Sequence, residues 1–318
     1  GDLVFEALER DGRGHGAVLS EADIARFFGN DDDQRVGSVL SDLAQVERVT
    51  GNLEEAEALG RRALAINRRE LGVDHPFIVF DLTSLASTLK EQRRFDDARP
   101  YYEEALASAE RIYEDNLTHP DYIGAVLNIG QFYLQAGQLA EAETAFRKAL
   151  RLEREQRGDV HTFVAYDMTE LARVLSLRGQ YAEAEQLARD ALVVYEQTVA
   201  DDHVFVATPL TTLGAVLTDT DRATEAEPYL RRAMAIHRAS DPPKPVPTAR
   251  TEGELGETLT ALGRFDEAEP LLRSSFRVLS ENGGEGDAEV RAARRRLIEL
   301  YERWARPEAA EALRTGSR

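Results

Sequence analysis

The stretch "GQYAEAEQLARDALVVYE", Gly179 to Glu196, decides how the rest of this chain is read. It comes back as "GNLEEAEALGRRAL", "RRFDDARPYYEEAL", "GQLAEAETAFRKAL", "DRATEAEPYLRRAM" and "GRFDEAEPLLRSSF", with a worn copy in "ARPEAAEALR". The alanines that align are Ala56, Ala98, Ala142, Ala184, Ala226, Ala268 and Ala310, at steps of 42, 44, 42, 42, 42 and 42. A second marker runs in phase with the first: His75, His119, His161 and His203, then Pro245 and Asp287 where the histidine is replaced. Two registers in phase make the stretch one unit of a repeat array.

Within a unit the apolar residues follow helical spacing twice. In the second copy Leu82, Leu85, Ala86 and Leu89 fall on one helical stripe, and beyond "EQRRF" so do Ala98, Tyr102, Ala105 and Leu106. "DHPF" supplies a start signal, with a polar residue ahead of Pro76 at the first helical position. Gly51, Gly137, Gly179 and Gly263 mark the turn between the two helices. The small residue at Ala98 and its equivalents sits where the helices approach closely and a larger side chain would overpack. A lone hairpin cannot bury its apolar face, so neighbours must stack. The expectation is an all-α solenoid of stacked antiparallel helix pairs, with residues 1–35 as an N-terminal helical cap segment and 36–318 as about seven hairpins, including a C-terminal capping unit.

Composition narrows the function classes. The 318 residues carry 58 acidic and 39 basic side chains, a formal charge of −19, which opposes binding to nucleic acid or anionic lipid. A neutral or basic partner is the easier match. No cysteine is present, which removes disulfides, thiolate metal sites and a cysteine nucleophile. No apolar run approaches the roughly 18 residues of a membrane span, and the start lacks the pattern of a signal peptide. Gly1 in place of an initiator Met points to an excised or processed piece, soluble and cytoplasmic, or extracytoplasmic within a membrane-anchored parent.

Leu85-Ala86, the turn glycine, Tyr or Phe before EA, and the closing Ala-Leu resemble a tetratricopeptide repeat over about residues 36–314. The family's usual period is about 34 residues; the 42-residue step with "LGVDHP" before the first helix resembles the kinesin-light-chain type. The resemblance implies a tetratricopeptide-type superhelical solenoid with a concave groove lined by the first helix of each hairpin. A narrower resemblance, carried by "LVFEALERDGRGHGAVLSEADIARFFG" and "DAEVRAARRRLIELYERWARPEAAEAL", is to the flanks of the repeat region that follows the kinase domain in bacterial serine/threonine kinases. No kinase motif is in the chain, so that resemblance implies the sensor or scaffold half of a signalling protein.

Candidates for chemistry yield to simpler readings. Asp31-Asp32-Asp33, with His15 nearby, precede the first repeat helix, where acidic residues favour the helix dipole. The in-phase histidines lie a helix diameter apart, about 10 Å, too far to share a zinc ion with ligands at about 2.0–2.1 Å. No HExxH, GxSxG or phosphate-loop pattern occurs. The expectation is therefore a non-enzyme with no metal and no cofactor. "SDPPKPVPTAR" reads as a stiffened inter-repeat loop, "RAARRRLIELYERW" as the polar outer face of the terminal unit, and "SEAD" as a capping-box start for a short N-terminal helix.

On the groove that the resemblance implies, the residues beside the apolar stripe are the candidates for partner binding: Phe80, Thr83, Ser87, Lys90, Asn128, Gln131, Tyr166, Thr169, Arg173, Thr208, Thr211, Arg250 and Glu257. Kinesin-light-chain-type repeats carry an Asn pair here, suited to clamping a peptide backbone; this chain has Thr83-Ser84, Leu127-Asn128, Thr169-Glu170, Thr211-Thr212 and Gly253-Glu254, so only Asn128 keeps the pattern. Tyr166, Arg173 and Arg250 are the expected anchors, because aromatic and Arg side chains dominate interface energetics. The leading reading is a protein-interaction scaffold or sensor module that takes up a peptide or protein segment. The alternatives are a self-associating structural module, giving a homo-oligomer, and a small-ligand sensor with a closed apolar pocket.

Overall fold

A histidine opens four of the first helices. In a computed structural model of the chain, which describes residues 34–240, 243–283 and 288–315, Nδ1 of His75 accepts from the backbone N–H of Phe77 at 3.2 Å, His161 from Phe163 at 3.1 Å, and His203 from Phe205 at 3.2 Å. His119 accepts from Asp121 at 3.2 Å in the same way. The in-phase histidines are thus helix N-caps, each satisfying one of the amides that a helix start leaves without a partner. Pro76 and Pro120 follow at the first helical position, where the missing N–H costs nothing. The proposed N-terminal cap, with "SEAD", His15 and the Asp31 run, lies outside the described residues, as does Asp287.

Every regular element among the described residues is an α-helix. In chain order these are α1 (Gln34–Thr50), α2 (Leu53–Leu71), α3 (Pro76–Glu91), α4 (Phe95–Ile112), α5 (Pro120–Gln135), α6 (Leu139–Arg157) and α7 (Thr162–Leu177). They continue with α8 (Tyr181–Thr198), α9 (Val204–Asp219), α10 (Ala223–Ala239), α11 (Pro245–Ala261), α12 (Phe265–Asn282), α13 (Ala288–Arg303) and α14 (Pro307–Thr315). Odd-numbered helices are first helices of hairpins and even-numbered ones are second helices. The chain divides into two compact units, residues 1–152 and 153–318, with the division inside α6.

In the first unit α1 packs on α2 and α3 on α4, while α1, α3 and α5 lie side by side. Its main core joins Leu82, Leu85 and Leu89 of α3 with Tyr102 and Ala105 of α4, Ile129 and Phe132 of α5, and Ala149 of α6. In the second unit α7–α8, α9–α10, α11–α12 and α13–α14 pair as hairpins, and α7, α9, α11 and α13 adjoin in sequence. The second helices α2 and α4 of the first unit, and α8, α10 and α12 of the second, each pack on both their own first helix and the first helix of the next hairpin.

The close approach of paired helices runs through the small residues. Ala98, Ala142, Ala184, Ala226, Ala268 and Ala310 are all 0% exposed, and Ala56 is 1%. On the facing first helix, a Cβ added to Gly214 would lie 2.4 Å from Leu230 Cγ, and one added to Gly256 would lie 2.5 Å from Leu272 Cγ. The turns close with a residue in the left-handed region: Gly51, Gly137, Gly179 and Gly263, but also Arg93 (φ 66°), Asp221 (φ 60°) and Ala305 (φ 53°). Those three turns keep the geometry without the residue that favours it.

The glutamate of the recurring Ala-Glu pair ties one hairpin to the next. Glu57 accepts from Arg61 one turn along its own helix at 2.8 Å and from Arg94 in the following turn at 2.6 Å. Glu227 repeats this with Arg231 at 2.8 Å and Arg264 at 2.6 Å, and Glu185 with Arg189 and with Arg222 at 2.9 Å. These pairs face solvent, so each contributes only tenths of a kcal/mol to about 1 kcal/mol; their periodicity serves register more than stability.

Two sequence readings change. "SDPPKPVPTAR" is not a loop throughout, because α11 begins at Pro245. The basic run of α13 is not all outer surface, since Arg296 turns inward and Arg294 lies over the ring of Phe276 at 5.7 Å.

Gly214→Ala separates propensity from packing. Helix propensity alone favours alanine by about 1 kcal/mol, whereas the contact with Leu230 predicts a loss of about 1–3 kcal/mol. Denaturant unfolding is expected to show the loss.

Candidate partner-binding face

The first helices carry the polar residues that the apolar stripe does not use. In the first unit Phe80 is 47% exposed. Thr83, Ser87, Lys90, Asn128 and Gln131 are half-buried on α3 and α5. Ser87 shares a 2.9 Å hydrogen bond with the Tyr102 hydroxyl, whose pKa burial pushes up to about 12. Burial lowers the pKa of Lys90, with Glu91 opposing that shift and Arg48 adding to it. A ligand on this part of the face meets hydroxyls and amides more than free charge.

The second unit is richer in charge. Tyr166 is half-buried on α7, and burial holds its phenol well above the usual range. Two turns on, Arg173 donates to Glu170 at 3.1 Å. On α9 Thr208 is half-buried, and Thr211 donates to the Ala207 carbonyl at 2.9 Å while sharing a 2.9 Å hydrogen bond with Thr251 of α11. Thr218 and Thr258 make a second rung between the same helices at 2.7 Å. Arg250 donates to Glu289 of α13 at 3.0 Å. Arg296 of α13 reaches back to both Glu254 and Glu257 of α11. Burial raises the Glu254 carboxyl, Arg296 pulls it back, and Glu257 adds a push. The result is an uncharged hydroxyl floor on α9 between two sets of ion-paired charges.

Thr169 does not belong to this face. It is 2% exposed, its hydroxyl donates to the Ala165 carbonyl at 2.7 Å, and it lies beside Tyr195 of α8. It faces the second helix, one position round from the open side. The sequence reading missed Arg296 as a member of the face and named Glu254 only as a departure from the Asn-pair pattern. Their signal was present: Glu254 stands one repeat after Thr212 and Arg296 one repeat after Glu254, so the 42-residue register puts them on the same line. Among the described residues no group of three or more His, Asp or Glu is placed to hold a metal ion, and no helix is long and apolar enough to cross a membrane.

Helix hairpins stacked through buried small residues, with a mixed polar face along the first helices, define the class of helical-repeat scaffolds. Models of the tetratricopeptide repeat match residues 35–111, 122–197 and 168–239, and others match 83–159 and 249–274. The chain belongs to the tetratricopeptide repeat family. Among curated proteins it is similar to mouse tetratricopeptide repeat protein 19, mitochondrial, 25% identical over 139 residues, which is 43% of this chain and 37% of that protein. The match thus spans little more than a third of the relative's length. Among solved structures, BtubC (BKLC) from P. vanneervenii superposes with a TM-score of 0.56 at 22% identity, covering 73% of this chain and 92% of that one. NprR in complex with its cognate peptide NprX superposes at 0.63 with 15% identity, covering 99% of this chain and 82% of that one. At these identities the likeness is one of fold.

Directly behind the face in the second unit, Asp167 is fully buried and neither carboxylate oxygen has a hydrogen-bond partner. The contrast with the first unit is informative. There Asp81, two repeats earlier, accepts from Ser41 at 2.6 Å and Asn67 at 2.7 Å. The position two repeats after Asn67 is Glu153, a buried carboxylate that accepts from Arg157 at 2.7 Å and has no N–H to offer Asp167. Burial, and then the like charges of Glu153 and Glu170, push the Asp167 pKa up to about 8. Such a carboxyl is protonated in the folded chain at neutral pH and ionised in the unfolded one. Its stabilising contribution is therefore complete below the unfolded pKa near 4 and is lost as pH rises through about 8. Asp167→Asn is expected to raise the melting temperature at pH 8–9 and to leave it nearly unchanged near pH 4. Circular-dichroism melts across that range check the slope.

Proposed function

We propose that the first-helix face of the second unit takes up a peptide or protein segment, making the chain a non-enzymatic interaction module of a larger signalling protein. The observation that carries this reading is the arrangement of α7, α9 and α11. Arg173 with Glu170 on one side and Arg250 with the Glu254–Glu257–Arg296 group on the other flank the hydroxyl floor of Thr208 and Thr211. A backbone laid over the floor meets groups that both donate and accept, while the flanking ion pairs can exchange partners with charged side chains. Largely buried pairs of this kind are already oriented, which lowers the ordering cost of binding. The superposition on a protein solved with its cognate peptide supports the same use of the fold. The overall charge of −19 favours a neutral or basic segment over an acidic one.

A peptide-array screen followed by fluorescence anisotropy tests the reading. A captured peptide is expected to lose at least about tenfold in affinity on Arg173→Ala, and again on Arg250→Ala, with the helical signal unchanged. Unchanged affinity in both variants, or a chain that only forms concentration-dependent oligomers in light scattering and captures nothing, would sink it.

A further inference from the structure

In α3, α5, α7 and α9 the residue two places after the capping histidine is exposed. In the second unit that residue is Phe163 on α7, 51% exposed, and Phe205 on α9, 50% exposed, with Val160 just ahead of α7 at 56%. The two phenylalanines stand one repeat apart, at the same position of neighbouring helices. Helix packing sets such positions about 10 Å apart.

The fold does not ask for these rings. Each lies against its capping histidine, with ring centroids 5.2 Å apart for His161 and Phe163 and 4.5 Å apart for His203 and Phe205. What the histidine uses, however, is the backbone N–H of that residue. On α5 the same place holds Asp121, and His119 accepts from its amide at 3.2 Å, as His203 does from Phe205. An aspartate thus serves the cap as well as a phenylalanine, and two large apolar rings half in water on adjacent helices call for another cover.

The charges around the rings indicate what that cover is. On the Phe163 side they cancel: Arg157 lies over the ring at 4.8 Å and is held by Glu153, and Arg154 pairs with Asp159 at 3.2 Å. On the Phe205 side Glu196 stands 4.0 Å from Arg232. Asp201 and Asp202, exposed just ahead of α9, meet no cation with their carboxylates among the described residues; Asp201 offers only its carbonyl, to Arg232 at 3.1 Å. The edge is therefore apolar with an acidic excess. A second copy of the chain would set the same carboxylates against each other within a net charge of −19, so self-pairing is opposed and a basic partner is favoured.

We propose that this edge binds an amphipathic α-helix of a partner protein, one that presents two apolar side chains about seven residues apart with Lys or Arg beside them. At a rise of about 1.5 Å per residue that spacing is about 10 Å along one face, which matches the rings. Residues two or four apart on an extended strand fall at about 7 or about 13 Å and do not. The apolar pair covers Phe163 and Phe205, and Asp201 and Asp202 orient the helix by taking its basic residue at the Phe205 end. Phe163 and Phe205 lie one turn ahead of Tyr166 and Thr208, so the edge borders the proposed face but contains neither Arg173 nor Arg250. The inference does not rest on peptide capture there.

Fluorescence anisotropy of the whole chain with labelled synthetic helices tests it. The probe is an alanine-rich peptide with two leucines at that spacing and lysines beside them; one control replaces both leucines by serine, the other replaces the lysines by glutamate. The leucine–lysine peptide is expected to bind saturably, and each control at least about tenfold more weakly. The double variant Phe163→Ser, Phe205→Ser is expected to lose at least about tenfold in affinity with the helical signal unchanged. Asp201→Asn with Asp202→Asn should weaken binding and flatten its dependence on salt. Phe77→Ser, at the same helical position in the first unit, should leave the affinity unchanged, as should Arg173→Ala. Failure of the leucine–lysine peptide to saturate, equal affinity for the leucine-free peptide, equal affinity in the phenylalanine double variant, or an equal loss on Arg173→Ala would each overturn the proposal, whatever the outcome for capture on the face.

Discussion

Close approach of two helices through a small residue is the constraint on which this structure rests. A hairpin of this length has an apolar stripe on each helix and no third surface to cover it. Bringing the helices together at alanine or glycine lets Leu230 and Leu272 reach the backbone of the facing helix at Gly214 and Gly256. What remains of the apolar surface then forms a ledge that the next hairpin can sit on. Stability is in this sense shared between neighbours, and the recurring Ala-Glu pair carries both duties, the alanine inside the hairpin and the glutamate toward the arginine of the next.

That division of labour leaves the first helices free to vary on their open side. Their buried stripe is repeated almost without change, while the positions beside it run from Phe80 and Ser87 to Tyr166 and Arg173 and then to Arg250 and Glu257. Few of these side chains stand alone. Ser87 is tied to Tyr102, Thr211 to Thr251, Arg173 to Glu170 and Glu257 to Arg296. A partner would therefore exchange hydrogen bonds on a prepared surface, which suits selectivity between segments better than raw affinity.

The copies are most informative where they depart from one another. Asp81 and Asp167 occupy the same place two repeats apart, and one has donors while the other faces a glutamate. Four first helices are capped by histidine, and the one that opens at Pro245 has no side-chain cap. A repeat supplies its own control: the intact copies show what the fold needs, so a departure that the fold does not need points to something else.

The sequence by itself determined the helix pairs, their spacing and the buried small residues, because periodicity of 3.6 within a helix and of 42 between hairpins is a one-dimensional signal. It also carried most of the face, since residues one repeat apart must lie on neighbouring first helices. Only the tertiary structure decided which of those residues are open. Thr169 turned toward α8, and Arg296 turned from an assumed outer surface to Glu254 and Glu257. The difference between facing a partner helix and facing solvent is a rotation of about 100° per residue, finer than a pattern of spacings can resolve. The cap role of the histidines and the bare carboxylate of Asp167 belong to the same class: each depends on which group comes within hydrogen-bonding distance across the stack, and that is set by packing.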